Sequence, residues 1–199
     1  MVEGFKIGKV LSDGWEHLKK NLGIAIGFTI LAGVLLLIGP VLQFRGYALV
    51  GAIVAVVLAY ICAIAWVEAG VLLGKGAKLT LTQIFSRSDR WFHFFVGTIL
   101  FIFIVAVGLI LFIIPGVIWF LRLQLFSYFV IDKNMNAFEA LSASWKCTKG
   151  SLLNLFLVHI VLHIVNVIGA LLVGVGLLVT IPYTASVIGG IYQKLQSKA

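Results

Sequence analysis

The sequence predicts an all-α protein that crosses a membrane several times, and two observations carry this prediction. The chain has 199 residues, of which 62% are hydrophobic and only 11% charged, whereas soluble domains carry about a quarter charged residues. Its apolar runs, such as 94–114, reach the roughly 20 residues that a spanning helix needs. They do not alternate as the strands of a membrane barrel do. Lipid is therefore the predicted solvent for most of the chain.

Six apolar segments are predicted to span the membrane as helices within one integral membrane domain, 1–199. They cover residues of about 22–42, 47–74, 94–114, 117–131, 152–173 and 177–192. Pro115-Gly116 is a turn signal between the third and fourth spans. Pro182, near the start of the last span, is expected to kink it or to mark a broken beginning. Two glycine pairs have the spacing that permits close helix packing: Gly23 with Gly27, and Gly70 with Gly74.

Three basic, amphipathic segments at 2–20, 76–93 and 134–149 are predicted to lie in the membrane interface. In the first segment, charged and apolar residues recur at three- and four-residue steps on separate helical faces. Thr80 with Gln83 has the spacing of a helix N-terminal cap, which predicts a short helix carrying Ile84 and Phe85, and Asn136 with Glu139 has the same spacing. Each segment precedes a pair of spans, so the pattern indicates a three-unit repeat of an interfacial helix followed by a helical hairpin.

The cations predict the orientation of the chain, whose net charge is +8. Six spans put nearly all of them on one side of the membrane: Lys6, Lys9, Lys19, Lys20, Lys75, Lys78, Arg87, Arg90, Lys133, Lys146, Lys149, Lys194 and Lys198. Only Arg45 falls on the other side, and Arg122 falls inside the fourth span. The positive-inside rule makes the basic side cytoplasmic, which predicts a prokaryotic inner-membrane protein with both termini in the cytoplasm. Anionic lipid head groups are the expected partners, and nucleic acid is not expected.

Polar groups inside the spans are the candidate site residues, because burying them in hydrocarbon is costly. Glu68 and Arg122 could pair, anchor at an interface, or serve a substrate or proton path. His159, His163 and Asn166 share one helical face. They could hydrogen-bond between helices, relay protons or bind a metal. The carboxylate companion of a helical zinc motif is missing, however, so no metal is predicted.

Catalytic signatures are absent from the sequence, so no enzyme activity and no cofactor are predicted. There is no nucleophile elbow, no phosphate-binding loop and no paired-carboxylate motif. The two cysteines, Cys62 and Cys147, lie at different predicted depths, which argues against a disulfide.

The second half of the chain resembles a known family, with the clear match over 110–195. Three groups of residues carry the likeness: Ile114-Pro115-Gly116 with Trp119 and Leu121-Arg122-Leu123; Glu139-Ala140-Leu141 with Ser144-Trp145 and Thr148-Lys149-Gly150; and Ile181-Pro182-Tyr183 with Tyr192-Gln193. They resemble prokaryotic membrane proteins similar to the membrane domain of glycerophosphoryl diester phosphodiesterases. The resemblance implies a cytoplasmic-membrane protein of this layout and draws attention to Pro115, Gly116, Glu139, Trp145, Lys149 and Pro182. It supplies no activity, because the hydrolase of fused members is a separate barrel domain that this chain lacks.

Two functions follow from these observations. The first is a non-enzymatic module of the cytoplasmic membrane that interacts with lipid or with a partner, either another membrane protein or a second copy of the chain. The basic interfacial segments favour it. The alternative is a small transporter or channel that uses the polar residues buried between helices, although the predicted repeats lack the inverted orientation common in carriers.

Overall fold

The computed structural model describes residues 5–172 and 174–198, and within those residues it contains helices and no strands. The helices are α1 Ile7–Lys19, α2 Leu22–Phe44, α3 Ala48–Gly74, α4 Leu81–Ile84, α5 Trp91–Leu111, α6 Ile113–Leu123, α7 Phe126–Lys133, α8 Ala137–Cys147, α9 Leu152–Leu171 and α10 Leu177–Leu195. Short 3₁₀ turns cover Ser88–Arg90 and Gln196–Lys198. The predicted all-α class is confirmed.

Five helical segments in the described residues are long and apolar enough to cross a membrane. They are α2, α3, α5, α9 and the stretch Ile113–Lys133, which joins α6 to α7. The last helix, α10, has 19 residues but is less apolar, because it carries threonines, tyrosines and a lysine. These lengths and compositions indicate a membrane protein. In Ile113–Lys133, half of the residues in the most apolar stretch of 18 are buried inside the protein, against 17–28% in the other four segments. Helix α7 therefore lies in the core of the helical assembly.

Helices α3 and α10 pack closely because glycines stand where they cross. A Cβ atom on Gly189 would fall on the carbonyl of Gly70, and one on Gly74 would fall on the backbone of Gly189. The predicted close packing at Gly70 and Gly74 is therefore confirmed within the chain. At Gly23 and Gly27 there is open space, since nothing lies within 4 Å of a Cβ added at either glycine.

The turn between the third and fourth predicted spans differs from the prediction. It consists of Phe112 alone, in an extended conformation, and Pro115 and Gly116 already lie in the first turn of α6. Proline is tolerated there because its missing N–H would have had no partner within the helix. Gly116 serves the hairpin differently, since its Cα lies where α5 and α6 approach most closely, near Gly108. Helix α10 likewise continues through Pro182.

The segment 76–93 does not form one continuous amphipathic helix, although the short helix predicted to start at Thr80 is present. It contains only the four-residue α4, the 3₁₀ turn and the start of α5. Asn21 explains the difference, because its side chain donates to the Ala77 carbonyl at 2.9 Å and accepts from the Leu79 N–H at 2.8 Å. These bonds occupy backbone groups that a helix would need. The cap at Thr80, which accepts from the Gln83 N–H, begins a helix that ends after one turn.

The segment 134–149 does form a helix, α8, and it begins with the predicted cap. The Asn136 side chain accepts from the Glu139 N–H at 3.0 Å, and the Glu139 carboxylate accepts from the Asn136 N–H at 3.1 Å. This reciprocal arrangement satisfies two backbone donors that a helix start otherwise leaves unpaired.

The first helix, α1, is bound to the last one along its buried face. Ser186 donates to the carbonyl of Gly14 at 2.8 Å, and Lys194 forms an ion pair with Asp13 at 2.8 Å. The hydrogen bond from Lys194 is the main reason why the pKa of the Asp13 carboxyl lies below its ordinary value. The opposite face of α1 is exposed and carries lysines: Lys6, Lys9, Lys19 and Lys20.

Candidate functional site

Glu68 lies in a cluster of charged groups near the C-terminal end of α3. Its side chain is buried, with only 7% of the residue exposed, and its carboxylate forms no hydrogen bond or ion pair within the described residues. The charged side chains that act on it are those of Arg87, Lys75 and Asp132. Arg122 is not among them, so the two intramembrane charges do not form the pair that the sequence allowed.

Asp132 joins three parts of the fold in this cluster. Its carboxylate accepts from Lys75 at the end of α3, at 2.5 Å, and from the Tyr192 hydroxyl of α10, at 2.8 Å. Lys133 adds a longer ion pair at 3.8 Å. Sequence reasoning missed Asp132, although one signal was available: it is the first charged residue after the apolar run of the fourth span.

Arg122 is held against α8 rather than against another charge. Its guanidinium lies 4.5 Å from the centre of the Trp145 ring, a cation–π contact that suits arginine in a partly desolvated position. The Arg122 carbonyl accepts from Ser144 at 2.7 Å and from Thr148 at 3.2 Å. The contact thus brings together motif residues that the sequence resemblance singled out, and it fixes the end of α6 to α8.

The three candidate site residues of α9 do not form one site. Nδ1 of His159 is hydrogen-bonded to the Leu155 carbonyl at 2.9 Å and its ring lies against Phe120, whereas His163 is exposed. Asn166 donates to the Thr184 hydroxyl of α10 at 2.9 Å. In the part of the chain that the structure describes, no three His, Cys, Asp or Glu side chains gather as a metal site would require.

Asn166 and Thr184 line an open recess of about 270 Å³ between α3, α7, α9 and α10. Most of its lining is apolar, including Trp66 and Ile188, and the Oδ1 atom of Asn166 is buried without a hydrogen-bond partner within the described residues. A buried acceptor of this kind is costly to leave unpaired.

A larger groove, of about 580 Å³, lies between α7, α8 and the C-terminal 3₁₀ turn. We call it the lysine groove. Its lining residues are Phe129, Lys133, Met135, Phe138, Glu139, Ser142, Ala143, Lys146 and Gln196. One side is apolar, with Phe138 exposed to the surroundings, while two exposed lysines supply positive charge. The Glu139 carboxylate is engaged by the cap of α8. The groove therefore offers an anionic group two cations beside an apolar wall.

Comparison with known proteins gives one family. A family model described as a domain of unknown function (DUF7847) matches residues 40–197, which is most of the chain. No curated protein and no solved structure matches the sequence.

Proposed function

The chain belongs to the DUF7847 family, whose function is unknown, and we propose that it is a non-enzymatic membrane module that binds anionic lipid. The lysine groove is the observation that carries this proposal. A phospholipid combines a phosphate with acyl chains, and the groove combines Lys133 and Lys146 with the apolar side chains of Met135 and Phe138. Lysine is a common phosphate binder, acting as a point charge.

The proposed arrangement in the membrane follows from the charges. The groove, the exposed lysines of α1 and the cluster around Asp132 belong to the segments that carry the cations. We propose that this side faces the cytoplasm, that both termini lie there, and that the membrane is the inner membrane of a prokaryote. Three hairpins, α2–α3, α5 to α7, and α9–α10, would then supply six membrane helices. A degenerate three-unit repeat and a relation to the phosphodiesterase membrane domains remain parts of the proposal.

A lipid titration tests the groove directly. We expect the double variant Lys133→Gln/Lys146→Gln to bind phosphatidylglycerol about 30-fold more weakly, because each lysine would lose a charge-assisted contact to the same phosphate, worth roughly 1 kcal/mol. Purified protein is titrated with phosphatidylglycerol, and bound lipid is counted by native mass spectrometry.

The matched control removes the same charge elsewhere. Lys6→Gln/Lys9→Gln changes two exposed lysines on α1 and should alter the affinity less than about threefold, since dispersed surface charges contribute less than a built site. Equal losses in the two double variants would refute the lysine groove as the binding site, as would unchanged affinity in the first.

A small transporter is the second candidate, and the recess between α3, α7, α9 and α10 is the observation that favours it. Two polar side chains, those of Asn166 and Thr184, line this recess among membrane helices. We rank lipid binding first, because the lysine groove offers cations while the recess is lined mostly by apolar residues. Solute flux into proteoliposomes distinguishes the two functions.

A further inference from the structure

The three hairpins end in turns of different chemistry on the side away from the basic segments. We call these the far turns: 43–47, from the last residues of α2 to the start of α3; residue 112 between α5 and α6; and residues 172 and 174–176 between α9 and α10. The first contains Gln43, Arg45 and Tyr47. Around the second, residues 99–121 include no charged side chain and, apart from the indole of Trp119, no hydrogen-bonding one. Around the third, residues 167–179 include neither kind.

Apolar side chains at the second and third far turns are exposed on the protein. Phe112 is 73% exposed and Val175 is 66% exposed. Their neighbours are exposed too: Ile110, Leu111, Ile113, Ile114, Leu171 and Leu172. In water, two such clusters would be unfavourable, and soluble surfaces seldom carry them. They continue without a polar break into the exposed apolar faces of the helices below.

The backbone N–H and C=O groups of Phe112 are both hydrogen-bonded within the chain, as surroundings without water require. Its N–H donates to the Gly108 carbonyl at 3.0 Å, and its own carbonyl accepts from the Gly116 N–H at 3.3 Å. Pro115 removes one further donor from a position where a helix start has no internal acceptor. A turn in hydrocarbon must satisfy its polar groups internally, and this one-residue turn does so at Phe112.

The third far turn is bonded in a similar way. The Gly174 N–H donates to the Ala170 carbonyl at 3.0 Å, and the Val175 N–H donates to the Leu172 carbonyl at 3.2 Å. Gly174 has φ of 76°, a left-handed conformation that glycine adopts without a steric penalty. The turn thus reverses the chain while keeping these backbone groups paired.

Helix lengths separate the first hairpin from the other two. At 1.5 Å per residue, the 23 residues of α2 and the 27 of α3 extend about 35 and 40 Å, whereas the 21 of α5 and the 20 of α9 extend about 30 Å. The hydrocarbon core alone is about 30 Å thick, and the head groups bring a bilayer to about 40–45 Å. The first hairpin is therefore long enough to carry its turn beyond the hydrocarbon core into the far head groups, whereas the other two are about as long as the core is thick.

We propose that the second and third far turns remain among the acyl chains of the far leaflet, while the first far turn reaches water. The occupant of the two apolar surfaces is lipid, because they are continuous with the lipid-facing sides of their helices. The cations of the basic segments lie on the same side of the membrane whether a far turn stops below the head groups or passes them. Their positions therefore do not determine the depth of the far turns. Two of the three hairpins would then present no epitope on the far side.

Single cysteines at three similarly exposed positions test the proposal. Tyr47→Cys, Phe112→Cys and Val175→Cys each replace a side chain that is 62–73% exposed on the protein, so none opens a cavity. The native Cys62 and Cys147 are buried, and labelling of the unmodified protein gives their background rate. A membrane-impermeant maleimide is applied to both faces of the bilayer, using proteoliposomes opened by freeze–thaw, and the labelling rates are compared.

We expect Tyr47→Cys to be labelled at least tenfold faster than Phe112→Cys and Val175→Cys in the bilayer. All three should react equally after denaturation in sodium dodecyl sulfate, which shows that each thiol is intact. Labelling of Phe112→Cys or Val175→Cys within threefold of Tyr47→Cys would overturn the proposal, and so would protection of Tyr47→Cys. The lipid titration does not depend on this result, so failure here leaves the proposed function to its own test.

Discussion

Replacing Gly189 by alanine is expected to lower the free energy of unfolding by about 3 kcal/mol, at the upper end of the usual cost of overpacking. The added methyl group would fall on the carbonyl of Gly70. A backbone atom cannot rotate away as a side chain can, so α3 and α10 would have to separate along their contact. Helical unfolding in mixed micelles, followed by circular dichroism against sodium dodecyl sulfate, measures the change.

The next residue provides the control. A Cβ on Gly190 meets nothing within 4 Å, and alanine is favoured over glycine inside a helix by up to about 1 kcal/mol. Gly190→Ala should therefore unfold at the same fraction of sodium dodecyl sulfate as the unmodified protein, or at a higher one. If Gly189→Ala and Gly190→Ala unfolded together, the close crossing of α3 and α10 would be wrong.

Replacing Ser144 by alanine is expected to lower the free energy of unfolding by about 2 kcal/mol, since a buried donor would lose its acceptor. The Ser144 hydroxyl accepts from the Leu125 N–H at 3.2 Å and donates to the Arg122 carbonyl at 2.7 Å. Leu125 lies at the break between α6 and α7, where the helix cannot supply every bond. One hydroxyl therefore both stabilises the break and holds α8 against it.

Ser142→Ala is the matched control for this second change, because Ser142 is two residues away on α8 and exposed. Its free energy of unfolding should lie within about 0.5 kcal/mol of that of the unmodified protein, as is usual for substitutions at exposed positions. The same micelle titration measures both variants. Equal unfolding of Ser144→Ala and Ser142→Ala would contradict the role assigned to the Ser144 hydroxyl.

Local rules predicted much of the helical layout from the sequence. The apolar runs gave helices of the expected lengths, because hydrocarbon leaves the backbone few alternatives to internal hydrogen bonds. The cap formed by Asn136 and Glu139 was also predictable, since all its bonds lie within four residues. In the same way, the amphipathic pattern in residues 2–20 predicted the helix α1.

Contacts between distant residues account for what the sequence did not predict. Asp132 meets Lys75 and Tyr192 across 57 and 60 residues of sequence, and no periodicity links those positions. The segment 76–93 departs from a helix because Asn21, from another element, binds its backbone. The histidines shared a face of α9, but His159 lies against the Phe120 ring of α6 while His163 is exposed.

The lysine groove likewise depends on tertiary structure. Its cations come from the last turns of two helices, Lys133 of α7 and Lys146 of α8, and its third side comes from Gln196. The sequence predicted a basic interfacial segment in this region without indicating a concave site. The hydrogen bond between Ser144 of α8 and the Arg122 carbonyl of α6 would therefore support the proposed lipid binding as well as stability, because it fixes one wall of the groove.

The lipid retained by the unmodified protein tests the central claim most directly. The protein is reconstituted in membranes containing equal amounts of phosphatidylglycerol and phosphatidylcholine, extracted with a minimal surrounding lipid shell, and its lipid composition is measured. A protein that binds anionic lipid in the lysine groove should retain phosphatidylglycerol in clear excess over phosphatidylcholine, and Lys133→Gln/Lys146→Gln should abolish that excess. Retained lipid with the composition of the starting membrane would contradict the account.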